Sequence, residues 1–452
     1  MSSISRRDFL KSGSLGAGAL LGSGLFSSGA YGAIDPNGKP AILGGEAPSS
    51  NAGPAWPPIL GDEVQRLESV LHSRLWCRSG QPQCVTNDFE AAFAEHCGAK
   101  HCVAVNSGTS ALICSLSALE LGPGDEVITS PYTFVATVNC IISHYALPVL
   151  ADVDVESFQV CPKAAEKLIT DNTRVLLPVH IGGNPPKMDD FLALSQQYNI
   201  PVVEDACQAH LARYKGKYVG TLGKMGCFSM QVTKNIACGD GGAILTDDDA
   251  LAERLFKIHS NSRSQGTSGF DFQYEPLHAG NYRMTGFQAA LLLSQLPTAE
   301  QRHAIRNENA LYLSSLLREI PGVYPQKIYD GAESAWHLYM FRIVPEEFGC
   351  SRDAAVQALC AEGISCYGGY GTGDWVNYIK SIYSTPAARR VYSEKALDDW
   401  AERIQLPNLE RLCCEAVWFG QAQMLAPKEN MDVIADCLRR IQKNAADIAA
   451  NV

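Results

Sequence analysis

Three places in the sequence combine residue types that could do chemistry. The first is Asn106-Ser107-Gly108-Thr109-Ser110, directly after an apolar run and at the opening of a helical stretch. Small residues there leave backbone N–H groups free to meet an anion, and a helix N-terminus favours a phosphate. A Ser or Thr at such a point also serves simply as a helix N-cap. The second is Glu204-Asp205, at the end of an apolar run. A carboxylate there must be paired or bound, because an isolated buried charge is costly, and a capping acid at the turn is the ordinary alternative. The third is Lys234 in SMQVTKNIACGDGG, a lysine among small apolar and hydroxyl residues before a glycine-rich turn. Its ordinary alternative is a solvated surface lysine. Together the three supply what an aldehyde-bearing pyridine phosphate needs: a lysine for a Schiff base, an acid for the ring nitrogen and an anion site for the phosphate.

The elements that must position these residues alternate. Short apolar runs recur at 101–105 (HCVAV), 126–130, 147–153, 174–181, 200–206, 227–231 and 243–247. They are rich in β-branched residues and apolar on both faces, as strands covered on both sides should be. Helical stretches lie between several of them, at 110–121, 133–146 and 188–199, and two more precede the first run at 62–73 and 87–96. This alternation predicts a mainly parallel sheet with helices on both faces, in which ligands bind at strand ends. The last three runs are closely spaced, so an antiparallel edge is expected. From about 283 the texture changes to a long amphipathic helical region ending before Pro321, then a strand near 338–344 and helices near 353–362 and 431–449. That pattern reads as a second, smaller α+β domain.

The chain has 452 residues, 46% of them hydrophobic, which is too apolar for disorder and long enough for about three units of roughly 150 residues. With 37 basic and 48 acidic residues the net charge is −11, a poor basis for binding nucleic acid or an anionic membrane. The N-terminus carries SISRRDFLK, followed over 12–33 by an uncharged run in which twelve residues are Gly or Ser. Such a run is too weakly apolar for a stable span, and it ends in small residues suited to cleavage near 30 or 33. It resembles a twin-arginine (Tat) signal, which implies passage through the Tat export machinery and a periplasmic or otherwise extracytoplasmic location. Without it the net charge is near −13, and 34–60 reads as a linker or arm rich in Pro, Gly and Ala. Sixteen cysteines would suggest a disulfide framework, but their scatter and the absence of any CxxC argue for buried thiols and against a metal site.

Between about 57 and 448 the chain resembles the DegT/DnrJ/EryC1/StrS family of pyridoxal-phosphate aminotransferases. The motifs that carry the resemblance are VAVNSGTSAL (103–112), GPGDEVITSPYTFVAT (122–137), DVD (152–154), VVEDACQAH (202–210), KGKYVGTLGKMGCFSMQVTKNIACGDGGAILTDD (215–248) and GNYRMTGFQAALLLSQL (280–296). The resemblance implies the fold type I α/β architecture: a large cofactor-binding domain over 61–300 with a mainly parallel seven-stranded sheet, and a smaller α+β domain over 301–452. It also implies roles. Lys234 would hold the pyridoxal phosphate as a Schiff base and shuttle the proton, and Asp205 would pair with the ring nitrogen. Gln208 would lie near the phenolic oxygen, Phe134 would stack on the ring, and Ser107, Gly108, Thr109 and Ser229 would hold the phosphate. Asn281 would reach the phosphate of a neighbouring subunit, implying a homodimer, while His337 and Tyr370 would face the substrate.

A lysine at 234, where the sugar-dehydrating branch of the family has a histidine, implies amino transfer. The expected donor is glutamate or glutamine and the expected acceptor a keto-sugar or an inosose-like keto-cyclitol. The stretch at 366–378 lacks the Tyr-x-Pro-Leu-His pattern of sugar-nucleotide aminotransferases, and 415–434 looks like the branch acting on cyclitols or making aminohydroxybenzoate. Two other readings stay open: an aminohydroxybenzoate-synthase-like enzyme, and an exported, non-catalytic carbohydrate-binding protein on the same fold.

Overall fold

The structure, a computed structural model, describes residues 31–32, 34–48, 53–78, 83–264, 278–371 and 374–451. The twin-arginine motif and nearly all of the signal segment lie outside these residues. Seven strands carry the apolar runs: β1 (His101–Val105), β2 (Glu126–Thr129), β3 (Leu147–Leu150), β4 (Thr173–Leu177), β5 (Val203–Asp205), β6 (Met225–Ser229) and β7 (Gly242–Thr246). They pair in the order β1-β7-β6-β5 and β4-β2-β3, and parallel bridges Leu176–Val202 and Val179–Asp205 join the two groups. All neighbours run parallel except β7, which is antiparallel to both β1 and β6. The antiparallel strand therefore sits one place in from the edge, where the close spacing of the last runs suggested an edge strand. β1 is the edge, and the C-terminal ends of β1, β5 and β6 open on the same side.

The sheet is covered on both faces, as its composition requires. Phe89 and Phe93 of a helix over Val85–Cys97 pack against Phe228 and Ala104, with Phe93 meeting Phe228 edge to face. On the other face Leu112 and Leu116 of α1 (Gly108–Ala118) join Val103, Val203 and Ile244. α2 (Val135–Ile142) follows β2 and begins at the aromatic residue of YTFVAT.

The amphipathic region after 283 is two helices, because Pro297 cannot donate to the helical ladder. α3 (Gly286–Gln295) opens with a capping box between Thr285 and Gln288, and α4 (Ala299–Leu317) follows. A three-stranded antiparallel sheet of β8 (Val323–Pro325), β9 (Leu338–Ile343) and β10 (Ala416–Gly420) is covered by α4, α5 (Arg352–Ala361) and a long C-terminal helix, α9 (Glu429–Lys443). Between β9 and β10 the chain returns to the large sheet through α6 (Trp375–Tyr383), α7 (Glu394–Glu402) and α8 (Pro407–Glu415). The Trp400 indole donates to the Pro148 carbonyl at 3.0 Å, and the Tyr392 hydroxyl to that of Tyr145 at 2.6 Å. The N-terminal arm docks on the C-terminal unit. Tyr31 is buried there with its amide donating to Asn430 Oδ1 at 3.0 Å, Ile42 and Leu43 pack against the same core, and the Ala41 amide donates to Glu362 at 3.1 Å.

Each of the sixteen cysteines is free and ten are buried. Among the described residues no group of His, Cys, Asp and Glu could hold a metal ion, and no helix is long and apolar enough to cross a membrane.

Candidate active site

At the C-terminal end of β5, adjacent carboxylates take opposite directions, as alternate strand residues must. Glu204 points into the protein, fully buried, and accepts the amides of Gly220, Leu222 and Gly223 at 2.7–2.8 Å and the His180 ring at 3.0 Å. It organises the loop before β6. Asp205 faces the other way and accepts the Thr137 hydroxyl at 2.7 Å and the Cys207 amide at 3.2 Å. Thr137 is held in turn by Thr133 at 2.8 Å. Thr137 is the last residue of YTFVAT, and its part in fixing Asp205 is not evident from the sequence alone.

Ser107 opens α1 in extended conformation, and its hydroxyl accepts the Ser110 amide at 3.1 Å. The N-cap reading of this serine therefore holds. The first amides of α1, at Gly108 and Thr109, have no carbonyl partner within the helix and lie at its positive end. Gly108 is where β1, β5 and β6 converge: a Cβ there would stand 2.6 Å from Ser229 Cβ and 2.9 Å from Cys207 Sγ. Only glycine lets the α1 N-terminus meet Ser229, at the end of β6.

Lys234 follows β6 by five residues and is half-buried, with Nζ 3.4 Å from His337 Nε2. Burial pushes its ammonium below the ordinary lysine range, while Cys207 and Asp205 push it back up. Burial holds His337 far below the usual histidine range, reinforced by the charges of Lys234, His210 and Arg306, so His337 is a neutral acceptor for the lysine. Gln208 accepts the Gly182 amide at 2.8 Å and donates to the Tyr370 hydroxyl at 3.3 Å. Burial raises Tyr370 to about 12. Phe134, the N-cap of α2, leaves 58% of its surface exposed. Asn281 is exposed on the segment beside the end of β1, where the Tyr282 carbonyl accepts the Asn106 amide at 2.7 Å.

The structure thus brings Ser107, Gly108, Thr109, Asp205, Gln208, Ser229, Lys234, His337 and Tyr370 to one cleft. Phe134 enters through the helix that carries Thr137, and Asn281 lies at the rim.

The family model for the DegT/DnrJ/EryC1/StrS aminotransferases matches residues 58–437. The chain belongs to this family. It is a pyridoxal-phosphate-dependent aminotransferase. The chain is 32% identical over 427 residues to the L-glutamine:2-deoxy-scyllo-inosose aminotransferase of Streptomyces lividus, a match spanning 91% of this chain and 99% of that protein. It is 36% identical over 349 residues to the spore coat polysaccharide biosynthesis protein SpsC of Bacillus subtilis, across 75% of this chain and 86% of that one. Among solved structures, 3-amino-5-hydroxybenzoic acid synthase superposes with a TM-score of 0.76 at 30% identity, covering 90% of this chain and all of the other.

The residues present fit the cofactor of the family. A cradle of helix-terminal amides and hydroxyls closes on a glycine whose Cβ would fill it. A carboxylate pinned by two hydrogen bonds faces a lysine whose charge is destabilised by burial.

Proposed function

We propose that this aminotransferase moves an amino group from L-glutamine or L-glutamate to a keto-cyclitol of the inosose type or to a keto-sugar. The observation that carries the reading is the match over nearly the full length to inosose aminotransferases, on a chain that keeps Lys234 opposite Asp205. When bound, pyridoxal phosphate supplies an aldehyde that accepts the amino group and a ring that draws electrons from the substrate carbon.

The chain's own residues do the rest. The Lys234 amine holds the cofactor, and once displaced by substrate it moves a proton from the substrate carbon; burial lowers its pKa toward the range of a working base. Neutral His337, 3.4 Å from Nζ, accepts a hydrogen bond from that amine and limits its swing. Asp205, fixed by Thr137, keeps a proton on the ring nitrogen by placing a carboxylate beside it. Ser107, Gly108, Thr109 and Ser229 bind the phosphate through amides and hydroxyls, Gln208 orients the phenolic edge, and Phe134 covers the ring. Tyr370, joined to Gln208, positions the acceptor.

A homodimer is part of the reading. Phe134, Val135 and Val232 form an exposed apolar rim beside the site, and Asn281 is exposed on the same side of the sheet, as a site completed by a second copy would leave them. Export by the Tat route is also proposed, on SISRRDFLK and the uncharged run that follows it. A route for folded proteins would carry the cofactor along.

The test is direct. Purified protein with pyridoxal phosphate is mixed with L-glutamine or L-glutamate, then with a panel of inososes and keto-sugars, while the visible absorption of the cofactor is followed. Loss with the amino acid and recovery with one class of ketone supports the reading. The likeness to 3-amino-5-hydroxybenzoic acid synthase favours a second acceptor class, a six-membered ring bearing a carboxylate, which belongs in the same panel.

A further inference from the structure

α4 turns two arginines into the protein interior. Arg302, Arg306, Asn309, Leu313 and Leu317 recur at helical spacing and are all buried, with both guanidinium groups fully enclosed. Neither meets a carboxylate. Arg302 bonds to the Thr298 hydroxyl and the Gln295 carbonyl, and Arg306 bonds through Nε and Nη2 to Gln421 Oε1 at 2.8 and 2.6 Å. The second terminal nitrogen of Arg306, Nη1, is buried without a partner. A guanidinium keeps its charge in a protein, so a buried one facing only an amide is an incomplete arrangement.

Its position ties it to the cleft. Leu338 of β9 pairs with Gly420 of β10, so His337 and Gln421 stand opposite each other one step beyond the ladder. His337 touches Lys234, and Gln421 holds Arg306. On the other side the ring of Trp56, from the arm, lies 5.3 Å from the Arg306 guanidinium, and its indole N–H donates to the Val232 carbonyl at 2.9 Å. Val232 is two residues from Lys234. The contacts form a closed circuit through Lys234, His337, Gln421, Arg306, Trp56 and Val232. Inside it, Arg306 Nη1 and His337 Nδ1 are both buried and unpartnered. The charge of Arg306 reaches His337 and His210, lowering both, with His210 near 3. The pocket is electropositive, and no described acidic side chain bonds to Arg306.

We propose that Arg306 is a specificity residue that binds a substrate carboxylate through Nη1, beside Lys234 and beneath Trp56. The inference rests on the aminotransferase reading and deepens it. A carboxylate could come from the amino donor or from an acidic acceptor, and the two are separable because amino transfer proceeds in two half-reactions.

The experiment compares the holoenzyme with Arg306→Met, Arg306→Lys and Gln421→Glu. The last leaves the arginine in place but gives it an internal carboxylate, so it tests the site even where removal of Arg306 spoils folding. Two readouts are taken: the concentration dependence of each half-reaction, and calorimetric titration with glutarate, which carries carboxylates but no amine. Loss of a charged hydrogen bond should raise the half-saturating concentration of L-glutamine and the dissociation constant of glutarate about 10- to 100-fold, with pyridoxal phosphate still bound. Arg306→Lys should recover part of the loss. A rise confined to carboxylate-bearing acceptors upholds the site and assigns it to the acceptor. Unchanged values in Arg306→Met and Gln421→Glu for donor, acidic acceptor and glutarate alike would overturn it. Should the parent protein react with no amino acid, the aminotransferase reading fails, while the glutarate titration still decides whether Arg306 binds a carboxylate.

Discussion

Glu204 and Asp205 are chain neighbours with separate duties, and the difference lies in which groups each finds on its own side of β5. Glu204 meets three backbone amides and a histidine, so it is structural. Glu204→Ala should lower stability by about 3–5 kcal/mol, seen as a lower denaturation midpoint, because it strips three buried donors of their acceptor at once. Asp205 meets a threonine and faces the lysine. Thr137→Val should leave the fold intact and weaken retention of pyridoxal phosphate about tenfold, measured by the rate of cofactor loss on dialysis. Gly108→Ala should be worse than its single methyl suggests, since that carbon would stand 2.6 Å from Ser229 and close the phosphate cradle. At this scale the sequence was legible for Asp205, Lys234 and the loop at 106–110, whose types match the chemistry. It was mute for Thr137, Gln421 and Trp56, whose parts depend on partners 68, 115 and 176 positions away. Arg306 did leave a trace: an arginine on the same helical face as Leu313 and Leu317 is a charge on the buried stripe of α4.

The seven strands of the large sheet follow the apolar runs within about two residues, because β-branched runs buried on both faces have few other solutions. The breaks in the helices after 283 and near 444 come from local chemistry, Pro297 in one case and the Asn444 cap in the other. The region between Cys366 and Glu415 was not legible. Its helices α6, α7 and α8 are short and largely polar, and they gain their apolar cover from the large sheet through single residues such as Trp400 and Tyr383. Local periodicity carries no record of that docking. The arm is a second such element. Glu362 accepts the Ala41 amide while paired to Arg440, which also donates to the Glu46 carbonyl at 3.2 Å. Glu362→Gln should therefore loosen the arm, and limited proteolysis should cut within 34–48 faster than in the parent; equal cutting rates would mean the arm is held by Tyr31 and Leu43 alone.

At the scale of the whole molecule, the protein carries several histidines that fold in the neutral state. Burial holds His210 and His259 near 3, and His337 is lowered as well. Their unfolded value is about 6.5, so below that pH the unfolded chain binds protons that the native state refuses. Stability should therefore be full above pH 7 and fall as pH drops from 6.5 toward 3, by at least about 1 kcal/mol per pH unit, in denaturant titrations. A flat profile between pH 7 and 5 would contradict the assignment of neutral histidines. The acidic net charge of −11 does not obstruct the proposed carboxylate site, because the local field around Lys234 and Arg306 is positive. The central claim is that this chain transfers amino groups through Lys234 to a cyclic ketone. Its most direct test is one absorption experiment on the protein loaded with pyridoxal phosphate, run beside Lys234→Ala. The parent should lose the cofactor's visible band on addition of L-glutamine or L-glutamate and regain it with an inosose or keto-sugar, while Lys234→Ala should do neither. A parent band that no amino acid alters, or an alanine variant that cycles like the parent, would contradict the account.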